Sequence, residues 1–492
     1  MNKKILSIIA GAALIVAAGI TVFSLMRSHK DTALISVPKD ATAIARIDVM
    51  TFLHDADFSS KEGKQLIQQI MQTENITELG LDLNSPVYGF ITESGDLGMS
   101  AAVDDVDALI ENCHHLMHQG RATEIEKQRG YHWSVIEQKW LMCFDNDKAL
   151  LMGPSVGSAQ DGLRAKMVGL MQQSQKESAF NSLLYTYLKE KHEPIAAMAE
   201  ADVLPNDFRE LLMKQLKVKS LDGIQLALGL GSDKDDVRID ADLIAEQVEL
   251  KQRLEELNSI FRPIKGDLIN RADESSLLWT TCNVKGEQLL ELLRKSPDLR
   301  TVLIGLNTIV DFDLMLKAID GDLTAECTSL SFILGFRRQL PVRLLARLDN
   351  EDFLTQSDYW IKSAAANPAY ELMAASPHDF VAVFDDKQAW FGVKDKTLYL
   401  TGSSSLANAE KSATPNAYLM ADRSHIKGLR FYASLDIQPL TVLISTFAGS
   451  SPLDRLLLFQ RINLEMGEVG HFTLKLVAPE GSNVVKKIIL GK

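Results

Sequence analysis

Six similar segments recur along this 492-residue chain, and they constrain its fold more than any other feature. Each is a short strand-like run that ends in an acidic or amide residue, after which a helix-like stretch begins. The closing residues are Asp48, Asp104, Asp202, Asn283, Asp349 and Asp436. Paired in order, the first three and the last three are separated by nearly constant sequence offsets (48 to 283, 104 to 349 and 202 to 436). This spacing predicts one unit of about 240 residues that occurs twice in the chain.

Alternating apolar and polar residues on either side of turn sequences predict several β-hairpins. Three of them cover residues 224–243, 312–329 and 458–477. A fourth, from Trp140 to Gly153, recurs from Trp390 to Gly402. Its sequence offset is close to that between Asp104 and Asp349, so the hairpin supports the duplication.

Amphipathic helices are predicted between the strands, at residues 107–118, 163–172, 206–216, 245–260, 287–293 and 352–364. The acidic and amide residues that end the six strand-like runs precede helix-like stretches. Their side-chain oxygens can accept hydrogen bonds from the unpaired backbone amides of the first helical turn. Helix capping therefore explains all six better than a shared catalytic or metal site. The predicted fold class is α+β, with two related lobes from an internal duplication, each mostly antiparallel hairpins with packed helices.

The joint between the lobes is predicted just after the helix at 245–260, where Pro263 and Gly266 stop helical structure. Lobe one then covers residues 36–262 and lobe two residues 270–492. Residues 1–30 precede both lobes and are treated separately because their composition differs.

Residues 5–26 form an uninterrupted uncharged run. As a helix this run is about 33 Å long, enough to cross the hydrocarbon core of a bilayer. The alternative is a signal peptide cleaved near Ala17, Ala18 and Gly19. We expect a single-pass membrane anchor in residues 1–30, an inner-membrane location, and the bulk of the chain in the periplasm.

The charge of the chain argues against nucleic-acid binding. The first 30 residues hold four of the 52 basic residues and none of the 65 acidic ones, so residues 31–492 carry a formal charge of about −17. Such a surface repels phosphate backbones, and no basic, aromatic-rich stretch offsets it. The expected partners are the membrane, through the N-terminal helix, and other envelope proteins.

Ser155 is the strongest catalytic candidate, because residues 153–157 match the G-x-S-x-G pattern of a hydrolase nucleophile turn. The matching turn in lobe two, residues 401–405, does not keep the pattern. The chain also lacks the alternating parallel strands and helices of α/β-hydrolases. A structural turn with a serine that caps the next helix is the preferred interpretation of Ser155.

His114 and His118 would share one face of the helix at 107–118 and could bind zinc together with His132. The alternative is a solvated last helical turn, which we prefer. The four cysteines are Cys113, Cys143, Cys282 and Cys327, and their spacing excludes a zinc ribbon. They are interpreted as buried apolar residues, with pairing within each lobe as the alternative. We therefore predict no catalytic residues, no metal and no cofactor.

The segment from Val37 to Asp48, with the sequence VPKDATAIARID, resembles the opening of a large bacterial family of envelope proteins. That family is classed as a domain of unknown function. The resemblance implies an N-terminal membrane-targeting segment and an envelope location, but no activity, catalytic residue or ligand. Many members resemble lipoproteins, whereas this chain has no cysteine before Cys113 and hence no lipidation site.

These observations predict a membrane-anchored, periplasm-facing envelope protein that acts as a non-catalytic binding or scaffold component. The first alternative is a serine hydrolase centred on Ser155. The second is a periplasmic carrier of an apolar ligand.

Overall fold

The structure is a computed structural model. It describes residues 32–55, 79–216, 218–233, 235–295, 297–308, 310–329, 340–366, 370–384, 387–402, 414–441 and 457–482. The expected membrane anchor in residues 1–30 lies outside these ranges. Within them, we find no helix whose length and hydropathy would suffice to span a bilayer.

The chain divides into two compact units. Unit 1 comprises residues 1–247 and 478–492, and unit 2 comprises residues 248–477. Each unit combines antiparallel strands with packed helices, which confirms the predicted α+β class.

The strands of unit 1 are β1 Ala43–Ile47, β2 Val87–Ile91, β3 Leu97–Ala102, β4 Glu126–Gln128, β5 Tyr131–Ile136, β6 Trp140–Phe144, β7 Lys148–Gly153, β8 Ile195–Glu200, β9 Ile224–Asp233 and β10 Asp236–Ala245. Its helices are α1 Thr32–Ile35, α2 Val49–Asp55, α3 Val106–His118, α4 Ala159–Gln172, α5 Leu183–Leu188 and α6 Asn206–Leu216. The strands pair in the order β4-β5-β6-β7-β3-β2-β1-β8-β9-β10, and every pair is antiparallel.

Apolar residues on one face of this sheet form the main core of unit 1. Phe90, Leu150 and Met198 from the strands are buried with Met167 of α4 and Leu188 of α5. Their burial removes apolar surface from water, at about 25 cal/mol per Å². The core therefore holds α4 and α5 against the sheet.

The strands of unit 2 are β11 Phe261–Arg262, β12 Leu278–Lys285, β13 Ile319–Cys327, β14 Leu340–Leu348, β15 Tyr370–Ser376, β16 Asp379–Phe384, β17 Lys387–Lys394, β18 Thr397–Gly402, β19 Phe431–Asp436, β20 Arg461–Glu468 and β21 His471–Val477. Its helices are α7 Val248–Ile260, α8 Gly286–Lys295, α9 Pro297–Leu306, α10 Phe312–Lys317, α11 Ser357–Ala365, α12 Ala417–Ala421 and α13 Arg423–Ile426. The strands pair antiparallel in the order β15-β16-β17-β18-β14-β13-β12-β19-β20-β21, and the short β11 adds to β12.

The two orders are the same when β1 to β10 are matched with β12 to β21. The residue register of β3–β7 and β14–β18 agrees with two of the spacings found in the sequence. Ala101 pairs with Ala149 in unit 1, and Ala346 pairs with Leu398 in unit 2. Ala101 and Ala346 are separated by the same number of residues as Asp104 and Asp349. Ala149 and Leu398 are separated by the same number as Gly153 and Gly402.

Five of the six helices predicted from the sequence are present within a few residues of their expected bounds, and α6 matches residue for residue. The segment predicted at 352–364 begins as the 3₁₀ helix Asp352–Gln356, and α11 starts only at Ser357. The hairpins at 224–243 and 458–477 and the repeated tryptophan hairpin are confirmed. The predicted helix at 245–260 begins only at Val248, because Ala245 still pairs in β10.

The hairpin predicted at 312–329 is wrong, because its first arm is the helix α10. Asp311 caps this helix and accepts a hydrogen bond from the Leu314 amide at 3.0 Å. Gly321 is not in a turn but at a register shift within β13, with φ of +154°. A Cβ there would lie 2.8 Å from the Arg347 Cβ, so the glycine allows a close approach of the neighbouring strand.

Asp436 makes the predicted kind of contact, because its Oδ1 accepts from the Gln438 amide at 3.0 Å, although the N-cap of the short 3₁₀ helix Gln438–Leu440 is Ile437. At two other junctions the side chain that accepts from a first-turn amide is one residue later than predicted. Asp105 accepts from the amides of the first turn of α3, and Asn350 accepts from the Asp352 amide.

The remaining three predicted caps have other roles. Asp48 forms an ion pair with Arg46 at 3.1 Å. Asp202 lies inside the short 3₁₀ helix Ala201–Val203. Asn283 is buried within β12 and donates to Asp322 at 3.1 Å. The sequence pattern located the end of a strand at five of the six positions, whereas Asn283 lies inside β12. Asp202 cannot cap its 3₁₀ turn because it is already part of it.

Candidate functional site

Ser155 lies in the turn between β7 and α4. Its amide donates to the Lys139 carbonyl at 2.7 Å, and its carbonyl accepts from Gln160 Nε2 at 3.0 Å. Within the described residues, its hydroxyl makes no hydrogen bond to a histidine. The prediction that Ser155 caps α4 is wrong, because the N-cap of α4 is Ser158. The Ser158 side chain makes no capping hydrogen bond either.

His114 and His118 are both exposed on α3. His132 lies on β5, where its ring stacks on Phe144 at 5.2 Å and burial lowers its pKa. The described residues contain no group of three His, Cys, Asp or Glu that could hold a metal ion. The zinc hypothesis therefore finds no ligand set in this part of the chain.

All four cysteines are free thiols. Cys113 and Cys143 are buried, and burial raises their pKa to about 11 and about 12. Such thiols are poorly reactive because the thiolate is disfavoured.

A candidate site in unit 1 is a half-open cleft of about 330 Å³. Its walls include Asp40, Glu93, Leu183, Leu184, Glu200 and Gln225. We call it the Glu200 pocket. Sequence patterns did not predict this pocket, because its residues come from separate stretches of the chain.

The sheet brings these stretches together at one edge. Thr42 directly precedes β1, Glu93 follows β2, Glu200 ends β8 and Gln225 is near the start of β9. Because neighbouring strands are antiparallel, these alternate starts and ends all fall on the same edge. Backbone hydrogen bonds of 2.9 Å, from the Thr42 amide to the Ile91 carbonyl and from the Glu200 amide to the Thr42 carbonyl, fix the spacing.

The start of α5 forms the apolar wall of the pocket. Ser182 caps this helix by accepting from the Tyr185 amide at 3.0 Å, and its hydroxyl donates to the Ala179 carbonyl at 2.9 Å. Its hydrogen bonds are thus used within its own turn. Leu184 is buried, whereas Leu183 keeps 42 % of its surface exposed beside the cleft.

Gln225 is the buried polar group of the pocket. The residue is only 6 % exposed, and no group in the described part of the chain donates a hydrogen bond to its Oε1. A buried acceptor without a partner costs about 1–3 kcal/mol, and most such groups in proteins are satisfied by a partner. This oxygen can therefore accept a hydrogen bond from a donor outside the described residues.

Neighbouring acids raise the cost of ionising Glu200. Partial burial raises the pKa of Glu200 above its ordinary value, and the carboxylates of Asp202, Glu93 and Asp222 raise it further. No described residue pairs with the Glu200 carboxylate. Lys39 is the one basic residue in the wall, and its side chain is exposed. The pocket therefore has excess negative charge and hydrogen-bond acceptors.

A family model described as domain of unknown function DUF4836 matches residues 35–446. The chain belongs to this family. The resemblance inferred from residues 37–48 is confirmed, and the Glu200 pocket lies within the part of the chain that matches DUF4836.

No curated protein matches this DUF4836 chain. Among solved structures, three crystal forms of TP0453 are similar. Form IV is 10 % identical and covers 43 % of this chain and 79 % of that chain, with a TM-score of 0.27. Forms I and III are 11 % and 9 % identical, cover 48 % and 49 % of this chain and 88 % and 92 % of those chains, and have TM-scores of 0.28 and 0.27.

Proposed function

We propose that this DUF4836 protein is a non-catalytic binding component of the bacterial envelope and that the Glu200 pocket binds a positively charged group. The observation that carries the proposal is the unpartnered Oε1 of Gln225 among the carboxylates of the pocket. A cation with N–H donors would satisfy that oxygen and offset the negative charge at once.

An organic cation fits the pocket better than a metal ion. The described residues provide no cluster of three metal-ligating side chains, and a cleft of about 330 Å³ has room for a small molecule or a side chain. Leu183 and Leu184 give one wall an apolar character. An apolar stem that ends in a charged nitrogen group matches both parts, because such stems pack on apolar surface while the charge meets its partner.

The envelope part of the proposal rests on the sequence. The uncharged run at residues 5–26 would anchor the chain in the inner membrane, and the large acidic remainder would lie in the periplasm. Membrane fractionation with N-terminal sequencing is the test. Release of a mature chain starting near Gly19 by osmotic shock would overturn the anchor.

We also infer that the two units are copies of one ancestral unit. The support is the common strand order and the agreement in register between β3–β7 and β14–β18. The alternatives of a serine hydrolase and of a carrier for an apolar ligand stay predictions from the sequence.

The binding function is tested by calorimetric titration of the full-length protein in detergent with agmatine and with cadaverine. At least one of these cations should bind with saturation, and Glu200→Gln should weaken that binding about tenfold or more because it removes a charged acceptor. Glu111→Gln is the matched control, since it makes the same change at an exposed position on α3. Equal binding by the two variants would contradict the proposal.

A further inference from the structure

We infer that the cation taken by the Glu200 pocket is a guanidinium group, such as that of an arginine side chain. This inference rests on the proposed cation-binding function. It comes from the corresponding position of unit 2, where the chain supplies a guanidinium of its own.

Backbone hydrogen bonds establish the correspondence. In unit 1 the Thr42 amide donates to the Ile91 carbonyl and the Glu200 amide donates to the Thr42 carbonyl, both at 2.9 Å. In unit 2 the Leu277 amide donates to the Cys327 carbonyl at 2.9 Å and the Asp436 amide to the Leu277 carbonyl at 2.8 Å. Glu200 and Asp436 are also the last residues of the matched strands β8 and β19. Asp436 is therefore the counterpart of Glu200, not of Asp202.

The strand partners of these two acids differ. Glu200 pairs in register with Gln225 on β9, and Asp436 pairs in register with Arg461 on β20. Arg461 is therefore the counterpart of Gln225. The sequence spacing had matched Asp436 with Asp202 instead. The two alignments differ because the 3₁₀ helix after β8 starts directly at Ala201, whereas the one after β19 starts two residues beyond Asp436.

In unit 2 the guanidinium completes the site. The Arg461 NH2 group lies 3.3 Å from Asp436 Oδ2, and the guanidinium carbon lies 4.2 Å from the centre of the Tyr418 ring. Both charged side chains are mostly buried, with 19 % and 24 % of their surface exposed. A carboxylate at this strand end thus meets a planar cation that packs on a side chain of a preceding helix.

Unit 1 keeps the carboxylate, and none of its described residues pairs a cation with it. Gln225 contributes an unpaired carbonyl oxygen where unit 2 has the arginine, and Leu183 and Leu184 lie in a helix that precedes β8, as Tyr418 lies in one that precedes β19. A guanidinium has five N–H donors in a plane and can bind a carboxylate and a second oxygen together. An ammonium is a compact point charge and gains less from two acceptors arranged side by side.

The test compares Nα-acetyl-arginine methylamide with Nα-acetyl-lysine methylamide in calorimetric titrations of the full-length protein in detergent. We expect the arginine compound to bind about tenfold more tightly, since it alone can make paired charge-assisted hydrogen bonds. Agmatine serves as the free guanidine. Tighter binding of the amide than of agmatine would indicate an arginine within a polypeptide partner, and the reverse would indicate a small molecule.

Gln225→Arg gives an independent test, because the new side chain should pair with Glu200 as Arg461 pairs with Asp436. We expect guanidinium binding to fall more than tenfold while the melting temperature is kept or raised. Gln225→Leu, which removes the acceptor without adding a cation, provides a second variant if the arginine disturbs folding, and it should also weaken binding.

Equal affinity for the arginine and lysine compounds would overturn the guanidinium inference and leave the cation-binding function in place, provided that Glu200→Gln still weakens both. If neither compound binds, the proposed function fails as well.

Discussion

Arg461 lies directly opposite Asp436 on strands β20 and β19 and forms an ion pair with it at 3.3 Å. The corresponding pair in unit 1 is Gln225 and Glu200. This pair contains an acid but no basic side chain. The acid at this strand end is thus paired with an arginine of the chain in unit 2, whereas its counterpart in unit 1 lies opposite a glutamine.

Arg461→Gln should lower the free energy of unfolding by about 1 kcal/mol, because it removes a partly buried ion pair and the cation–π contact with Tyr418. Arg461→Lys keeps the charge but loses the planar stacking, so its cost should be intermediate. Urea unfolding of the two variants checks the order. Two variants as stable as the wild type would mean that the ion pair adds nothing to unit 2.

Glu200→Gln should stabilise the protein at neutral pH. The pKa of Glu200 is raised above its ordinary value of 4.5, first by burial and then by the neighbouring acids, so ionisation of this group opposes folding above that pH. Below pH 4.5 the carboxyl is protonated in both folded and unfolded chains, and the advantage of the variant should vanish. Melting temperatures from pH 4 to pH 8, with Glu111→Gln as control, give the comparison. A variant less stable than the wild type at pH 7 would contradict the assignment.

Removing one partner of the buried ion pair of Glu326 and Arg343 should lower the free energy of unfolding strongly. Their side chains are 3 % and 2 % exposed, and the Arg343 NH2 lies 2.7 Å from Glu326 Oε2. Burial raises the pKa of Glu326 despite the arginine beside it. Arg343→Met should therefore cost about 3–5 kcal/mol at pH 7, and less at acid pH where the unpaired carboxyl takes up a proton. Urea unfolding at pH 7 and pH 5 measures both values. A loss that does not depend on pH would contradict this account.

Asp105 and Asp104 provide a test of helix capping at adjacent positions. Asp105 accepts from the Asp107 and Ala108 amides at 3.0 and 3.1 Å, whereas no described group donates a hydrogen bond to the Asp104 carboxylate. Asp105→Ala should lower stability by about 0.5–2 kcal/mol and Asp104→Ala by less. Thermal unfolding of the two variants compares them. The reverse order would restore the cap predicted from the sequence.

Much of the fold was predictable because it depends on local patterns. Apolar alternation located most of the hairpins, and helical periodicity located α3 and α6. The spacing between Asp104 and Asp349 agrees with the strand register, since both residues follow matched strands. The helix α10 was missed because Asp320 and Gly321 have the composition of a hairpin turn, although they lie within a strand bulge.

The Glu200 pocket could not be predicted. Gln225 looks like an ordinary polar residue at the start of a strand, and only its burial opposite Glu200 makes it unusual. The sequence match also aligned Asp436 with Asp202, because both are aspartates near a strand end. Backbone pairing was needed to align it with Glu200, and only that alignment relates Gln225 to Arg461.

The side-chain amide of Gln225 reports most directly on whether a cation enters the pocket. Its NMR signal can be observed in protein labelled with ¹⁵N at glutamine and assigned by its loss in Gln225→Leu. Our account predicts a saturable shift of this signal on titration with agmatine, an unchanged set of other glutamine signals, and a much weaker response in Glu200→Gln. A Gln225 signal that does not move at saturating agmatine, or that moves equally in Glu200→Gln, would contradict it.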